Sequence, residues 1–147
     1  MYRVWYTTSV AKEGESATGR AGRPKPPRYL DKRVPVIFYR TEAGGEPVRQ
    51  WLKTECSAED RKRIGEDIKT VEFGWPVGMP VCRPLGNGVY EVRSNLAQNR
   101  IARVLFYIDK ENRMVLLHGF IKKTQQTADK DLELARRNKA KHQKGRS

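Results

Sequence analysis

The sequence predicts a single-domain α+β protein in which helices pack on an antiparallel sheet of about four strands. The first observation is that residues 86–124 contain three strand-like runs separated by short polar turns. The second is a pair of amphipathic helical patterns that precede these runs, and the third is a helical pattern that follows them. At 147 residues the chain is long enough for one domain with its own core.

The four predicted strands are rich in Val, Ile, Tyr and Phe, which a half-buried sheet accommodates well. They are Val34–Tyr39, Val89–Arg93, Ile101–Ile108 and Met114–Ile121. The last run is apolar on both faces, as expected of a central strand. In the third run, the two-residue period places Arg103 on one face with Leu105 and Tyr107. A charged side chain is therefore expected among apolar neighbours.

Three helices are predicted from apolar spacing and from residues that favour helix ends. A helix over Glu46–Glu55 has Pro47 in its first turn, and Ser57 is a suitable N-cap for a second helix over Ala58–Phe73. These two helices form the expected hairpin. Thr127 can cap a C-terminal helix that runs to about Lys141. The proline-rich segment Trp75–Leu85 is expected to be an extended connector.

The predicted domain covers residues 34–141, between two basic ends. Residues 1–33 carry 8 basic and 3 acidic side chains, and most of this segment is rich in Gly and Pro, as is typical of a flexible arm. Met1–Thr8 could form a short strand, and the arm could grip phosphate or be dispensable. Residues 142–147 are predicted to be a basic tail.

The composition favours a polyanionic partner. The chain has 30 Lys and Arg against 17 Asp and Glu, a formal net charge of +13, although basic ends can also simply aid solubility. The two cysteines, Cys56 and Cys82, form neither a disulfide framework nor a zinc pattern. We expect no metal and no cofactor. We also expect no membrane association, because no signal peptide or membrane-spanning run is visible. A cytoplasmic location is the corresponding expectation.

Four stretches together resemble one known family. They are VIFYRTEAGGEPVRQWL, LGNGVYEVR, RIARVLFYI and LLHGFIKKTQQTADKDLELA. The element order and these residues resemble the RelE/HigB superfamily of type II toxin–antitoxin toxins, and most of all its phage-derived, HigB-like branch. The resemblance covers about Val34 to Lys141, and its most specific part is the strand that ends in HGFIKKTQ before an acidic helix start.

The resemblance implies a RelE-like fold and a ribosome-dependent endoribonuclease that cuts messenger RNA in the decoding site. The implied partners are messenger RNA, the ribosome and a cognate antitoxin, often of the helix-turn-helix type, with operator DNA bound only through the antitoxin complex. An alternative is a basic module that holds RNA or the ribosome without cutting, such as a decayed toxin. A DNA-binding regulator is less favoured, because the predicted helix hairpin lacks a basic recognition helix.

Cleavage of RNA without a metal requires cations fixed near the phosphate that the ribose 2′-OH attacks. Arg103 and Arg93 are the first candidates, since guanidinium groups match phosphate geometry. The resemblance places Arg103 where family toxins keep a phosphate-stabilising arginine, although Arg103 could instead pair with Glu91 across the hairpin. Lys122 and Lys123 follow a buried strand, and the resemblance implies that a cation here faces the scissile phosphate. Either lysine could also be merely solvated.

The acid–base group is less clear from the sequence. His118 is the candidate by residue type, but its apolar strand is more typical of a structural histidine. Glu91 is interpreted as an ion-pair partner of the arginines, and His142 is expected to be idle. Further RNA-binding candidates supply a cation, hydroxyl groups, an amide or an aromatic surface for a base. They are Arg100, Tyr90, Tyr107 and Gln125.

Overall fold

The computed structural model describes residues 32–122 and 127–145. The predicted strand Met1–Thr8, the arm up to residue 31, and the site candidates Lys123 and Gln125 lie outside the described residues. The elements follow in this order: β1 Val36–Phe38, α1 Pro47–Glu55, α2 Ala58–Gly74, β2 Cys82–Gly86, β3 Val89–Asn95, a 3-10 turn Ala97–Asn99, β4 Ile101–Ile108, β5 Met114–Lys122 and α3 Asp129–Gly145.

The strands form one mixed sheet in the order β1-β5-β4-β3-β2. β2 to β5 make an antiparallel meander, whereas β1 runs parallel to β5 with Val36 opposite Met114. The α+β class, the helix hairpin and the C-terminal helix are confirmed. The prediction of an antiparallel sheet of about four strands was wrong in two respects, since the described residues form five strands and one of them is parallel.

The additional strand, β2, lies in the segment expected to be an extended connector. Cys82 to Gly86 pair with β3 on one side only, so β2 is an edge strand. An edge strand tolerates Pro84 because one side of it donates no ladder hydrogen bonds. The turn that follows has a positive φ at Gly86, Asn87 and Gly88, a left-handed conformation that glycine adopts readily.

One face of the sheet, the hairpin face, packs against α1 and α2. The buried residues of α1 are Val48, Trp51 and Leu52, and those of α2 include Ile64, Ile68 and Val71. Trp51 lies so close to Gly119 of β5 that a Cβ atom there would stand 2.5 Å from the indole ring. A glycine is therefore required where α1 crosses the sheet.

The opposite face, the α3 face, is covered in part by the C-terminal helix. Ala135 and Leu132 of α3 pack with Leu105, Tyr107, Val115 and Leu117 of the sheet. The helix continues to Gly145, four residues beyond the predicted end at about Lys141. Among the described residues, no helix is both long and apolar enough to cross a membrane.

Candidate functional site

A β-bulge in β5 decides which of its side chains lie on the α3 face. Leu105 pairs with His118 but Phe106 pairs with Leu116, so Leu117 is the extra residue. Leu116 belongs to the hairpin-face core, whereas Leu117 and Phe120 belong to the α3-face core. Without the bulge, strict alternation would place His118 beside Leu116. The bulge instead turns His118 towards α3.

The bulge is held by α3 itself. The side-chain amide of Asn138, which is buried, donates a hydrogen bond of 3.0 Å to the carbonyl oxygen of Leu117. A bulge leaves a backbone group without its ladder partner, and such a group must be satisfied elsewhere when it is buried. Asn138 thus connects the position of α3 to the orientation of His118.

The charged side chains of the α3 face form neighbouring rows across the strands. Arg93, Arg103 and Phe120 lie opposite one another on β3, β4 and β5. The next row contains Arg83, Glu91, Leu105 and His118. With Lys122 and Asp131 these rows make one group, here called the charged cluster: Arg83, Glu91, Arg93, Arg103, His118, Lys122 and Asp131.

Arg103 lies at the centre of the charged cluster. Its side chain is fully buried, although it comes from the middle of β4. Burial lowers the pKa of Arg103 from its ordinary value, and the nearby charges of Arg93 and Arg83 act in the same direction, whereas Glu91 opposes them. A guanidinium stays protonated under all such conditions in proteins. Arg103 is therefore a fixed positive charge in a poorly solvated position.

Glu91 is the negative charge among these arginines, as the sequence predicted for an ion-pair partner. It is fully buried, and its Oε2 lies 3.9 Å from Nη1 of Arg83 and 4.0 Å from Nε of Arg93. Its Oε1 accepts a 2.6 Å hydrogen bond from the hydroxyl of Thr127, just before α3. Buried charges persist when paired charges and hydrogen bonds surround them. Glu91 thus holds the arginines together and attaches the start of α3 to β3.

Asp131, in the first turn of α3, makes the second connection between this helix and the sheet. Its Oδ1 lies 2.8 Å from Nε2 of His118, and its Oδ2 accepts a 2.8 Å hydrogen bond from Nζ of Lys122. Burial tends to raise the pKa of Asp131, but the bonds from Lys122 and His118 outweigh it and hold this pKa below its ordinary value. The carboxylate is therefore ionised at neutral pH.

Phe120 separates His118 from Lys122 along β5 and contacts both. Its ring stacks on the imidazole with centroids 5.4 Å apart and planes inclined by 30°. Nζ of Lys122 lies 5.1 Å from the centroid of the same ring, within the range of a cation–π interaction. Phe120 and Asp131 therefore restrict the positions of the His118 imidazole and the Lys122 ammonium group.

The chemistry of the charged cluster suits a phosphate. Four cationic side chains, Arg83, Arg93, Arg103 and Lys122, stand against two carboxylates, Glu91 and Asp131, before any proton on His118 is counted. The side chain of Arg83 is 38% exposed and that of Lys122 29%, while that of Arg93 is 15% exposed. The more exposed of these cations can bind a polyanion at the surface, and the more buried ones can hold one of its phosphates.

The remaining predicted residues lie elsewhere. Tyr90 is on the hairpin face, where its ring stacks on Phe106 and meets Trp75 edge to face. Tyr107 is buried under α3, and its hydroxyl lies 2.5 Å from Nδ1 of His142. His142, expected to be idle, is thus part of the helix contact. The structure brings neither tyrosine to the charged cluster.

Arg100 precedes β4 and is held by a carboxylate of α2. Its two terminal nitrogens donate to the two oxygens of Asp60 at 2.9 and 3.0 Å, a bidentate pair. These bonds lower the pKa of Asp60 and raise that of Arg100. Arg100 therefore joins the helix hairpin to the start of β4.

Sequence reasoning missed Arg83, Thr127 as a partner of Glu91, and Asp131. Arg83 was missed because strand β2 was not predicted. Asp131 was visible only as an acidic residue that favours a helix start. Its spacing of 13 and 9 residues from His118 and Lys122 carries no periodic signal.

A cavity of about 910 Å³ lies apart from the charged cluster. It is between the segment that follows β1 and the C-terminal half of α3, and its polar lining includes Arg40, Glu42, Lys141 and Lys144. The sequence offered no candidate site residue in this lining. The charged cluster therefore remains the candidate site.

Comparison with known families gives one match. Residues 50–140 match the sequence model of the family described as Phage derived protein Gp49-like (DUF891). The matched segment begins within α1 and includes most of α3, so it contains every residue of the charged cluster. No curated protein matches the chain. The chain belongs to the Gp49-like family, which is a RelE/HigB-like family of toxin–antitoxin toxins.

Proposed function

We propose that this Gp49-like toxin is a metal-independent endoribonuclease that cuts messenger RNA on the ribosome, and that a cognate antitoxin inhibits it. The observation that carries the proposal is the position of Arg103, a fully buried cation directly opposite Arg93. Like charges opposite each other in a sheet reduce stability. Glu91 offsets part of this repulsion, and an anionic ligand beside the two arginines would offset more of it.

The proposed reaction is the attack of a ribose 2′-OH on the adjacent phosphorus. The new 2′-O–P bond forms while the P–O5′ bond breaks, which leaves a cyclic phosphate and a free 5′-hydroxyl. Negative charge grows on the phosphoryl oxygens and on the departing O5′. Arg103 and Arg93 neutralise the phosphoryl oxygens, and fixed cations of this kind stabilise the transition state more than the substrate.

Lys122 and His118 are proposed to serve the proton transfers and the leaving group. The imidazole is proposed to transfer a proton, and the ammonium can stabilise a developing alkoxide. Lys123, whose place lies outside the described residues, remains a further proposed contact. Gln125, which also lies outside the described residues, is likewise a proposed contact. Arg100 is proposed to contact RNA at the end of the sheet where Lys122 lies.

The proposed partners follow from the family and from charge. A toxin of this family implies a cognate antitoxin, here proposed to be of the helix-turn-helix type, with operator DNA bound through the complex. The net charge of +13 supports a polyanionic target such as ribosomal and messenger RNA. Association of this kind weakens steeply with added salt.

The test is induced expression of the wild type and of Arg103→Ala, followed by primer extension on a reporter message. We expect growth arrest and discrete cuts inside translated codons for the wild type, and neither for the variant. Normal growth and uncut message in cells that contain folded wild type would contradict the proposal.

A second candidate function is a non-catalytic module that binds RNA or the ribosome. It is favoured by one observation, that Asp131 already engages both His118 and Lys122. Ribosome co-sedimentation separates the two functions. An enzyme loses cutting but keeps co-sedimentation when Arg103 is replaced, whereas a binding module never cuts and loses co-sedimentation.

A further inference from the structure

We propose that Asp131 is a positioning residue that selects one tautomer of His118 and orients Lys122 beside it. This inference rests on the proposed function, since it concerns how two groups of the same site are prepared for proton transfer. It adds a residue on α3 that no periodic pattern in the sequence indicates.

Asp131 is an ionised carboxylate. Its residue is only 8% exposed, yet its pKa lies below the ordinary value because two hydrogen bonds outweigh the effect of burial. Its place in the first turn of α3 adds the favourable effect of a helix N-terminus on a negative charge. An ionised carboxylate can accept hydrogen bonds but cannot donate them.

Asp131 accepts a hydrogen bond from His118, since Oδ1 of Asp131 lies 2.8 Å from Nε2 of His118. Because the carboxylate only accepts, Nε2 must carry a hydrogen. In a neutral imidazole the hydrogen is then absent from Nδ1, which becomes the basic nitrogen. Asp131 thus decides which nitrogen of His118 can take a proton.

Asp131 also orients Lys122. Oδ2 of Asp131 accepts from Nζ at 2.8 Å, so one ammonium hydrogen is engaged while the remaining hydrogens can bind an anion. The ring of Phe120 restricts both groups, as a stack under His118 and as a cation–π partner of Lys122. One carboxylate and one ring therefore hold an acid–base group and a cation in a fixed relation.

Asp131→Asn separates positioning from simple attachment of α3. The amide has the same shape, but its oxygen must turn towards Lys122, which can only donate. Its NH₂ group then faces Nε2 of His118 and donates to it, which moves the imidazole hydrogen to Nδ1. The packing is kept while the tautomer is reversed.

Asp129→Asn is the matched control. Asp129 lies in the same first turn of α3 and is exposed, so the substitution removes the same charge from the same helix end. Both variants and the wild type are expressed by a short induction from a tightly repressed promoter, since the protein is proposed to be toxic. Thermal unfolding of all three checks that the fold is retained.

The first measurement is the two-bond nitrogen–proton correlation pattern of the His118 ring, recorded at a pH well above that at which a free imidazole titrates. We expect hydrogen on Nε2 in the wild type and in Asp129→Asn, and on Nδ1 in Asp131→Asn. A wild-type ring with hydrogen on Nδ1, or on both nitrogens, would overturn the inference. This measurement does not depend on ribonuclease activity.

The second measurement is cleavage of a ribosome-bound message at saturating and at limiting ribosome concentration. We expect kcat of Asp131→Asn to fall roughly a hundredfold, the usual contribution of a positioned proton-transfer group, with KM little changed. Equal kcat values for Asp131→Asn and the control would overturn the positioning role alone. A wild type that never cuts would overturn the proposed function, and with it the contribution of Asp131 to cleavage.

Discussion

The two faces of the sheet bury different kinds of side chain, although they share the same strands. The hairpin face buries an apolar core in which Phe106, Trp75 and Tyr90 pack ring against ring. The α3 face buries a smaller apolar cluster under the helix, and beside it lie a fully buried arginine and a fully buried glutamate.

This difference separates stability from function within one domain. Apolar burial stabilises the fold without further conditions, whereas buried charges are costly unless they are paired and hydrogen-bonded. The α3 face keeps Arg103, Arg93 and Glu91 at a place where apolar residues of similar size would be no less stable. We infer that the hairpin face maintains the fold and that the charged cluster is retained for its chemistry.

The largest expected effect on stability comes from the hairpin face. Phe106→Ala should lower the free energy of unfolding by about 3–5 kcal/mol, because it opens a cavity at the centre of a fully buried aromatic group. Urea denaturation followed by fluorescence measures the change. A loss below about 1 kcal/mol would contradict the inference that the hairpin face maintains the fold, since the core would then tolerate the cavity.

Glu91→Gln should lower the free energy of unfolding by about 3 kcal/mol, because it leaves the arginines of the α3 face without their shared negative charge. The amide keeps the shape and can still accept from Thr127. Glu66→Gln, an exposed change on α2, is the control and should be nearly neutral. Similar values for the two variants would show that Glu91 does not hold the arginines.

Acid should weaken the attachment of α3. Because the pKa of Asp131 is lowered by folding, its contribution to stability is complete above the unfolded-state pKa, about 3.9, and is lost as the pH falls through the lower folded-state pKa. Wild type should therefore exceed Asp131→Asn in stability at neutral pH and lose that advantage in acid. A difference between them that does not change with pH would contradict the pairing with Lys122 and His118.

The smallest expected effect concerns the part of the α3 face that the helix covers. His142→Ala removes the partner of the Tyr107 hydroxyl and should cost about 1 kcal/mol of stability, the usual net value of one hydrogen bond. Cleavage should be unchanged, since this contact lies away from the charged cluster. A fall in cleavage without a fall in stability would indicate that Tyr107 contacts RNA after all.

Much of the fold could be predicted because its signals are local. Apolar periods and helix-end residues located α1, α2, α3 and the β3–β5 strands within a few residues. The expectation that Arg103 would lie among Leu105 and Tyr107 followed from the two-residue period of β4 alone, and the structure confirms this side-chain arrangement.

The remainder depends on pairings that sequence does not encode locally. The parallel pairing of β1 depends on a crossover, and β2 is a strand with Pro84 that only its edge position allows. The bulge at Leu117 places His118 on the opposite face from the one that strict alternation after Leu116 would give. Asp131 is distant in sequence from its partners on β5, so no local pattern connects it to them.

The central claim is that the charged cluster, and Arg103 above all, carries the activity without carrying the fold. The most direct measurement is the rate of message cleavage on purified ribosomes by wild type, Arg103→Met and Arg113→Met, with the unfolding free energy of each. Arg113 is the control, an arginine paired with Asp109 in the turn between β4 and β5. We expect Arg103→Met to remain folded and to lose cleavage by roughly 10²–10³-fold, while Arg113→Met still cuts. Full cleavage by a folded Arg103→Met would contradict the account.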